Sequence, residues 1–516
     1  VTDRRTVLAG GLALAALPTR AWSAATPRVR TPAGDFEGDR VGGVQRFLGI
    51  QYGRAPRFQA PVPIATPGVL RPAHAFGPVC PQRGPYGPQA EECLFLNVWT
   101  PDANLTARRA VMVYIHGGAY SNGSVTDPLN DGAVLAATED VVVVTVNHRL
   151  NALGYLYLAR LDPRFADSGN AGQLDLLLAL RWIRDNVAIF GGDPDRVMLF
   201  GQSGGGAKIA TLMGTPAAER LFHAAATMSG QQVTASGPMN ATRRTQAYLA
   251  KLGIRETDLS PLLKASTEQL VEGLQATDPI IGGTLYFGPV LDMKWLHRHP
   301  FWPDANPQSH RLPMILGNTR DETKAFIAPD SEKVKGLTWA NLPQRMAPEL
   351  KIDLLPEWIV AEYRAHFPKD SPADIFYRAT TAGRSWPGQV IEADARSQAG
   401  AKATWVYQVD FQSPVAPERG APHTADIPLV FGTLGAQGSI SGTGPASQKV
   451  SRTMMAAFAN LARTGNPNGG TVPQWANYAL PDRATMVFDT DSRAVNDPRQ
   501  WERELFARAP YVQPGS

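Results

Sequence analysis

Across 516 residues, 50 lysines and arginines stand against 46 aspartates and glutamates, a formal net charge of +4. With so small an excess, and no basic run interleaved with aromatics, neither nucleic acid nor an anionic membrane is the expected partner. An apolar fraction of 43% supports an extensive core, and no linker-like stretch or internal repeat divides the chain, so one large domain is expected.

Arg4-Arg5 precede an apolar run from Val7 to Leu17, too short to span a bilayer, and small residues follow in Ala21-Trp22-Ser23-Ala24-Ala25. Residues 1–25 therefore read as an export signal, and the paired arginines favour a bacterial twin-arginine type over an ordinary secretory one. Residues 26–516 are then the exported protein, periplasmic or secreted. Removing 1–25 takes away three arginines and Asp3 and leaves a charge of +2. No later segment is long and apolar enough for a membrane helix, so no membrane insertion is expected after cleavage. Only Cys80 and Cys93 are present, and in an oxidising compartment such a pair most simply forms one loop-closing disulfide. Without C-x-x-C or H-x-x-x-H beside them they do not make a zinc site, and no metal is expected.

Val111-Met112-Val113-Tyr114-Ile115 and Val141–Val146 are apolar, β-branched runs that suit central strands of a parallel sheet, buried on both faces. His116-Gly117-Gly118-Ala119-Tyr120 follows the first of them directly. Its small residues let the backbone approach a substrate oxygen, which makes the N–H groups of Gly118 and Ala119 candidate oxyanion donors. His116 reads as a packing or hydrogen-bonding residue of that turn. Leu177, Leu180, Ile183 and Val187 fall at helical spacing within 174–190, and Asp193-Pro194-Asp195 then leads into a strand at Val197–Phe200. Gly201-Gln202-Ser203-Gly204-Gly205-Gly206 follows at once, and 207–213 read as a helix. A serine on a tight strand-to-helix turn, among small residues, has its hydroxyl lifted clear of the sheet. Ser203 is thus the candidate nucleophile, with the Gly204 N–H as a third oxyanion donor.

Residues 231–279 and 331–400 read as mostly helical segments packed over the sheet's C-terminal edge, around the mouth of a site. Strands are expected at Pro313–Gly317 and Ala403–Phe411, which completes a doubly wound α/β pattern. A serine needs a base, and the base needs an orienting acid; in this fold order both follow the serine. His423 sits in a loop just after the predicted strand 403–411, where a base belongs, whereas His297, His299 and His310 lie in a proline-rich loop with no such placement. Asp321 and Glu322 both follow the strand at 313–317, and position alone leaves them tied as the acid.

Glu91-Glu92-Cys93-Leu94-Phe95-Leu96-Asn97-Val98-Trp99-Thr100-Pro101, His116–Ala119, Phe190-Gly191-Gly192-Asp193-Pro194, the serine turn and Ala462-Arg463-Thr464-Gly465-Asn466-Pro467 together resemble the type-B carboxylesterase family, which includes the cholinesterases. The matches run in the family's order from about Phe47 to Phe488. The resemblance implies the α/β-hydrolase fold: a large, mostly parallel central sheet with helices on both faces and helical insertions over the active site. It implies a serine carboxylesterase with a Ser-His-Glu triad and an acyl-enzyme intermediate, acting on small-molecule esters without a cofactor. Among the two acids it selects Glu322. It also implies that Cys80 pairs with Cys93, that Arg57–Glu91 and Arg149–Asp175 are structural ion pairs, that Ser229 supports the acid, and that Asp426 is a second buried carboxylate near the histidine. Leu285 and Phe287 match positions that line the acyl pocket.

Two departures from the family pattern lie beside the serine. Gln202 stands where the family usually has Glu, and Gly204 where it usually has Ala. With Gln202 a negative charge near the base is missing, which disfavours the imidazolium, and Asp426 would keep part of that effect. The segment between the cysteines is much shorter than in cholinesterases and holds no tryptophan, so a choline-type cation–π site is not expected. The rival readings are a transacylase, a toxin-, carbamate- or polyester-degrading hydrolase on the same scaffold, or a non-catalytic binding protein, the last disfavoured by retention of all three triad positions.

Overall fold

Strict alternation along each apolar strand, with both sets of side chains apolar, demands cover on both faces of a sheet. In the computed structural model, which describes residues 26–516, that cover is present. Val111, Val113 and Ile115 enter one core, while Met112 and Tyr114 of the same strand enter another on the opposite face. Val197 and Leu199 against Met198 and Phe200 repeat the division.

The strands of the central sheet are β1 (Asp39–Val41), β2 (Val44–Gln51), β3 (Phe95–Thr100), β4 (Arg109–Ile115), β5 (Val142–Val146), β6 (Gly192–Gln202), β7 (Ala224–Met228), β8 (Met314–Thr319), β9 (Thr404–Val409), β10 (Ala484–Phe488) and β11 (Arg493–Asn496). Their order across this 11-stranded sheet is β11-β10-β9-β8-β7-β6-β4-β5-β3-β2-β1. From β10 to β5 every neighbouring pair is parallel, and antiparallel strands extend both edges. The helices that cover one face include α1 (Ala171–Asn186) and α2 (Gly204–Met213). The other face packs against α7 (Pro445–Thr464), through Met454, Phe458 and Leu461. This is the sheet and helix arrangement that the sequence led one to expect. The expected export segment, 1–25, lies outside the described residues. Among the described residues no helix is long and apolar enough to cross a membrane.

Element ends differ from the sequence reading in ways that matter for the site. β6 runs on to Gln202 and β8 to Thr319, so each delivers its polar end residue to the sheet's edge. The helix expected over 174–190 ends at Asn186, and a 3₁₀ turn carries the chain to Phe190. The two helical insertions have different fates. Helix α3 (Pro238–Lys251) buries Tyr248 and Leu249 in the same core as α1. In contrast, α4 (Pro356–His366), α5 (Pro372–Ala382) and α6 (Trp386–Gln398) enclose a separate apolar cluster around Ile359, Tyr363, Phe376 and Phe506.

Arg149 and Asp175 are fully enclosed where β5's exit loop meets α1. Asp175 takes the Arg149 Nε–H at 2.9 Å, Nη2–H at 2.6 Å and backbone N–H at 2.9 Å, while Arg149 Nη1 donates to the Pro56 and Gln59 carbonyls. Arg57 and Glu91 form the other expected pair, with an Nε–Oε2 contact of 2.7 Å. The expected Cys80–Cys93 disulfide is not formed: both residues are buried free thiols. The Cys80 sulfur accepts the Leu150 N–H at 3.2 Å. A hydrogen bond with Cys80, reinforced by burial, pushes the Cys93 thiol well above its ordinary range and keeps it protonated.

Removing one partner from an enclosed ion pair leaves a buried charge uncompensated. Asp175→Asn is expected to lower the unfolding free energy by about 3–5 kcal/mol, read from urea denaturation. A loss below about 1 kcal/mol would show that the pair is not an anchor of the β5–α1 junction.

Candidate active site

Ser203 stands between the last residue of β6 and the first of α2, at φ 56° and ψ −126°. A non-glycine residue holds such a conformation only when its surroundings over-determine it. Here the Ser203 N–H donates to the Met228 carbonyl at 2.7 Å, and its own carbonyl accepts the Ala207 N–H at 3.1 Å. Close approach explains one departure from the family pattern. A Cβ on residue 204 would lie 2.1 Å from the Ala119 carbonyl oxygen, so only glycine fits beside the 117–119 turn.

Beyond β4, Gly118 and Ala119 both take positive φ, 86° and 52°. The N–H groups of Gly118, Ala119 and Gly204 have no hydrogen-bond acceptor among the described residues, and all three residues line the same cavity as Ser203. That cavity measures about 490 Å³ and is also lined by Gln202, Ser229, Tyr286, Phe326, Arg384 and His423. Its size suits a small organic molecule.

β8 and β9 bring the remaining groups. The β8 end carries Asp321 and Glu322, and the structure separates their roles. Asp321 accepts the Ala421 N–H at 3.0 Å and donates its own backbone N–H to the Ala421 carbonyl at 2.9 Å, which pins the loop after β9. Glu322 instead faces the imidazole that this loop presents: His423 Nδ1–H donates to Glu322 Oε2. The other oxygen, Oε1, accepts Ser229 Oγ–H at 2.6 Å and the Thr319 N–H at 2.8 Å. Burial works to raise the Glu322 carboxyl, but the His423 charge and these donors outweigh it and hold the carboxyl below its usual range.

At the far side of the ring, His423 Nε2 accepts from the Gln202 side-chain amide at 3.1 Å. No hydrogen bond joins His423 to Ser203 Oγ among the described residues, although both side chains line the cavity. Phe326 packs against the imidazole at 4.9 Å between centroids. Asp426 is completely buried beneath it, accepts the Tyr407 hydroxyl at 2.8 Å, and is pushed up to about 6 by burial.

Some residues of the site escaped sequence reasoning. Lys208, on the buried side of α2, donates from Nζ to the Ala119 carbonyl at 2.6 Å and lies over the Tyr120 ring at 5.1 Å. Burial alone pushes its ammonium down to about 7. The signal in the sequence was a single charged residue within the otherwise small and apolar stretch 204–213. Beside it, His116 and His148 stack at 4.7 Å; burial and the neighbouring lysine push His116 down to about 3, so this ring is a neutral part of the turn. The expected acyl-pocket residues need correction. Leu285 and Phe287 turn into the core, and Tyr286 between them lines the cavity, because neighbouring side chains of an extended segment point in opposite directions. Arg384, between α5 and α6, also lines the cavity and carries no motif. Among the described residues no cluster of ligating side chains suited to a metal is present.

The model of the "Carboxylesterase family" matches residues 25–506. The chain is 33% identical to the para-nitrobenzyl esterase of Bacillus subtilis (strain 168), over 92% of this chain and 97% of that one. It is 30% identical to the fumonisin B1 esterase of Sphingopyxis macrogoltabida, over 90% and 87% respectively. Among solved structures, the Geobacillus stearothermophilus carboxylesterase EST55 at pH 6.2 superposes with a TM-score of 0.83 at 34% identity, covering 93% of this chain and 99% of that one.

Lys208 makes stability depend on pH. Its ordinary value is 10.5, so between about 7 and 10.5 the unfolded chain binds a proton that the native chain does not, and native stability rises with pH across that window. Lys208→Met is therefore expected to exceed the wild type in urea midpoint most at about pH 6, with the gap narrowing towards pH 10. A gap independent of pH would contradict the depressed lysine.

Proposed function

The chain belongs to the carboxylesterase family and is a carboxylic-ester hydrolase, and we propose that it works through an acyl-enzyme on Ser203, with His423 as base and Glu322 as its orienting acid. The observation that carries this reading is the meeting of four things in one cavity: a serine on a strained turn, an imidazole held through Nδ1 by a buried carboxylate, and two backbone segments offering unpaired N–H groups.

The steps follow from these positions. His423 Nε2 exchanges its contact with the Gln202 amide for the Ser203 hydroxyl and takes the proton as Oγ attacks the ester carbonyl carbon. The carbonyl oxygen becomes an anion held by the N–H groups of Gly118, Ala119 and Gly204. Glu322 keeps the ring's tautomer and faces the positive charge that forms on it. His423 then gives its proton to the leaving alkoxide, and the alcohol departs. Water, deprotonated by the same nitrogen, attacks the acyl group, and Ser203 is restored as the carboxylic acid leaves. Lys208, donating to the Ala119 carbonyl, holds the oxyanion turn in place. The catalytic unit is residues 26–516 as a single α/β-hydrolase domain, and the Arg4-Arg5 pair with the apolar run after it supports export through 1–25.

Ser203→Ala is expected to reduce kcat for short p-nitrophenyl esters by about 10⁴-fold or more, with an unchanged circular dichroism spectrum, and to abolish labelling by a fluorophosphonate probe. Retention of most activity would refute the nucleophile. Gln202→Glu places a carboxylate against His423 Nε2 and favours the imidazolium, so a higher pH is needed to obtain the free base. The acid limb of the kcat/KM profile should move upward by about one pH unit, and an unmoved limb would remove Gln202 from the determinants of the base.

A further inference from the structure

We propose that the ester taken by this cavity carries a carboxylate group, and that the Arg384 guanidinium binds it. The inference rests on the esterase reading of the same cavity and adds the chemical class of its substrate.

Arg384 lies in the three-residue turn between α5 and α6 and lines the cavity with Ser203 and His423. Its guanidinium stacks over the Phe326 ring at 4.3 Å from the centroid, and Phe326 in turn packs against the His423 imidazole. The cation is therefore fixed in orientation, one ring away from the base. Among the described residues it has no carboxylate within ion-pair distance and no side-chain hydrogen bond. That sets it apart from the enclosed arginines of this protein. Arg149, Arg244 and Arg499 each hold a carboxylate, and Arg396 is surrounded by three carbonyls and a hydroxyl.

The cavity itself offers no counter-charge. Among the described residues no aspartate or glutamate lines it, and where the family pattern places an acid beside the serine this chain has Gln202. The remaining polar wall is neutral: Asn122, Gln231, Gln232 and Gln513, with the hydroxyls of Tyr286 and Tyr511. Behind it, Glu392 accepts the Gln232 N–H at 2.7 Å, burial pushes that carboxyl up to about 8, and no ion pair joins it to Arg384 among the described residues. Ser385, next to Arg384, stands at the N-terminus of the 13-residue helix α6 and also lines the cavity, which adds the positive end of a helix dipole to the same wall. A planar, half-buried guanidinium without a partner is matched in shape and charge by a carboxylate, which it holds through two parallel hydrogen bonds. A neutral ester leaves that donor pair without its strongest acceptor.

The test uses two matched pairs of esters with the whole enzyme. One places the charge on the acyl arm, p-nitrophenyl hemiglutarate against p-nitrophenyl valerate. The other places it on the alcohol arm, 4-acetoxybenzoate against its methyl ester. Wild type, Arg384→Gln and Arg384→Lys are compared by kcat/KM, with Ser203→Ala supplying the background rate. In at least one pair, Arg384→Gln is expected to lower kcat/KM for the carboxylate-bearing member about tenfold or more while the neutral member stays within about twofold, and Arg384→Lys to retain part of the preference. The pair that responds identifies the arm that carries the charge. The steady neutral substrate reports an intact fold, and Arg384→Lys gives a second variant should Arg384→Gln fail to fold. Equal effects on both members of both pairs would overturn the proposal while leaving the esterase reading standing. Turnover of all four esters that survives Ser203→Ala would overturn Ser203 as the nucleophile of this cavity, and this inference with it.

Discussion

The close passage of two backbone segments at the C-terminal ends of β4 and β6 is the constraint on which the site depends. A Cβ on Gly205 would lie 1.9 Å from the Ile115 carbonyl oxygen, and one on Gly204 would lie 2.1 Å from that of Ala119. With no side chains between them, the start of α2 and the 117–119 turn share one small space. Ser203 pays for this proximity with an unfavourable φ, a strain on the order of 1–3 kcal/mol that the flanking parallel ladder sustains. The ladder runs through Met228, whose carbonyl receives the Ser203 N–H. Three N–H groups without an acceptor among the described residues and one hydroxyl thus converge where the sheet's registry brings these segments together.

Around that fixed backbone the charges are arranged unevenly. Glu322 is the one carboxylate held in its ionised form against the imidazole, by His423, Ser229 and Thr319. The other buried acids nearby, Asp426 and Glu392, are pushed upward by burial, to about 6 and about 8. Arg384 lines the cavity as its unpaired cation among the described residues, while the Lys208 amino group sits under the 117–119 turn. With Gln202 in place of an acid, the balance of charge in the cavity leans positive. Such a field favours oxyanion formation and anionic ligands by the same physical cause.

Much of this was legible along the chain. The apolar runs at 111–115, 141–146 and 197–200 became central parallel strands, since burial on both faces leaves a continuous apolar run as its trace. The serine turn and the Gly117-Gly118-Ala119 turn were legible because each is a local backbone requirement. What failed was what depends on orientation or on distant neighbours. The identity of the cavity-lining residue shifted by one, from Leu285 and Phe287 to Tyr286, since an alternating segment gives no hint of which side meets the cavity. Cys80 and Cys93 were paired by compartment and count, whereas the structure holds two buried free thiols, one of them engaged by the Leu150 N–H.

By itself, the sequence pointed to the class of chemistry through three local features: a serine on a strand-to-helix turn, a glycine-rich turn after a neighbouring strand, and a histidine in a loop after a later one. Each of those statements concerns a few consecutive residues, and backbone sterics act over that range. Position alone left Asp321 and Glu322 tied and the family resemblance pointed to Glu322; only the tertiary structure shows why, since it depends on which carboxylate meets a ring 101 residues away and which one ties down the loop bearing it. The same holds for Lys208 and Arg384. Their significance lies in what surrounds them, a carbonyl 89 residues distant for one and a wall without carboxylates for the other. Strand order across the sheet sets those neighbours, and electrostatic energy depends on separation in space, which no spacing along the chain records.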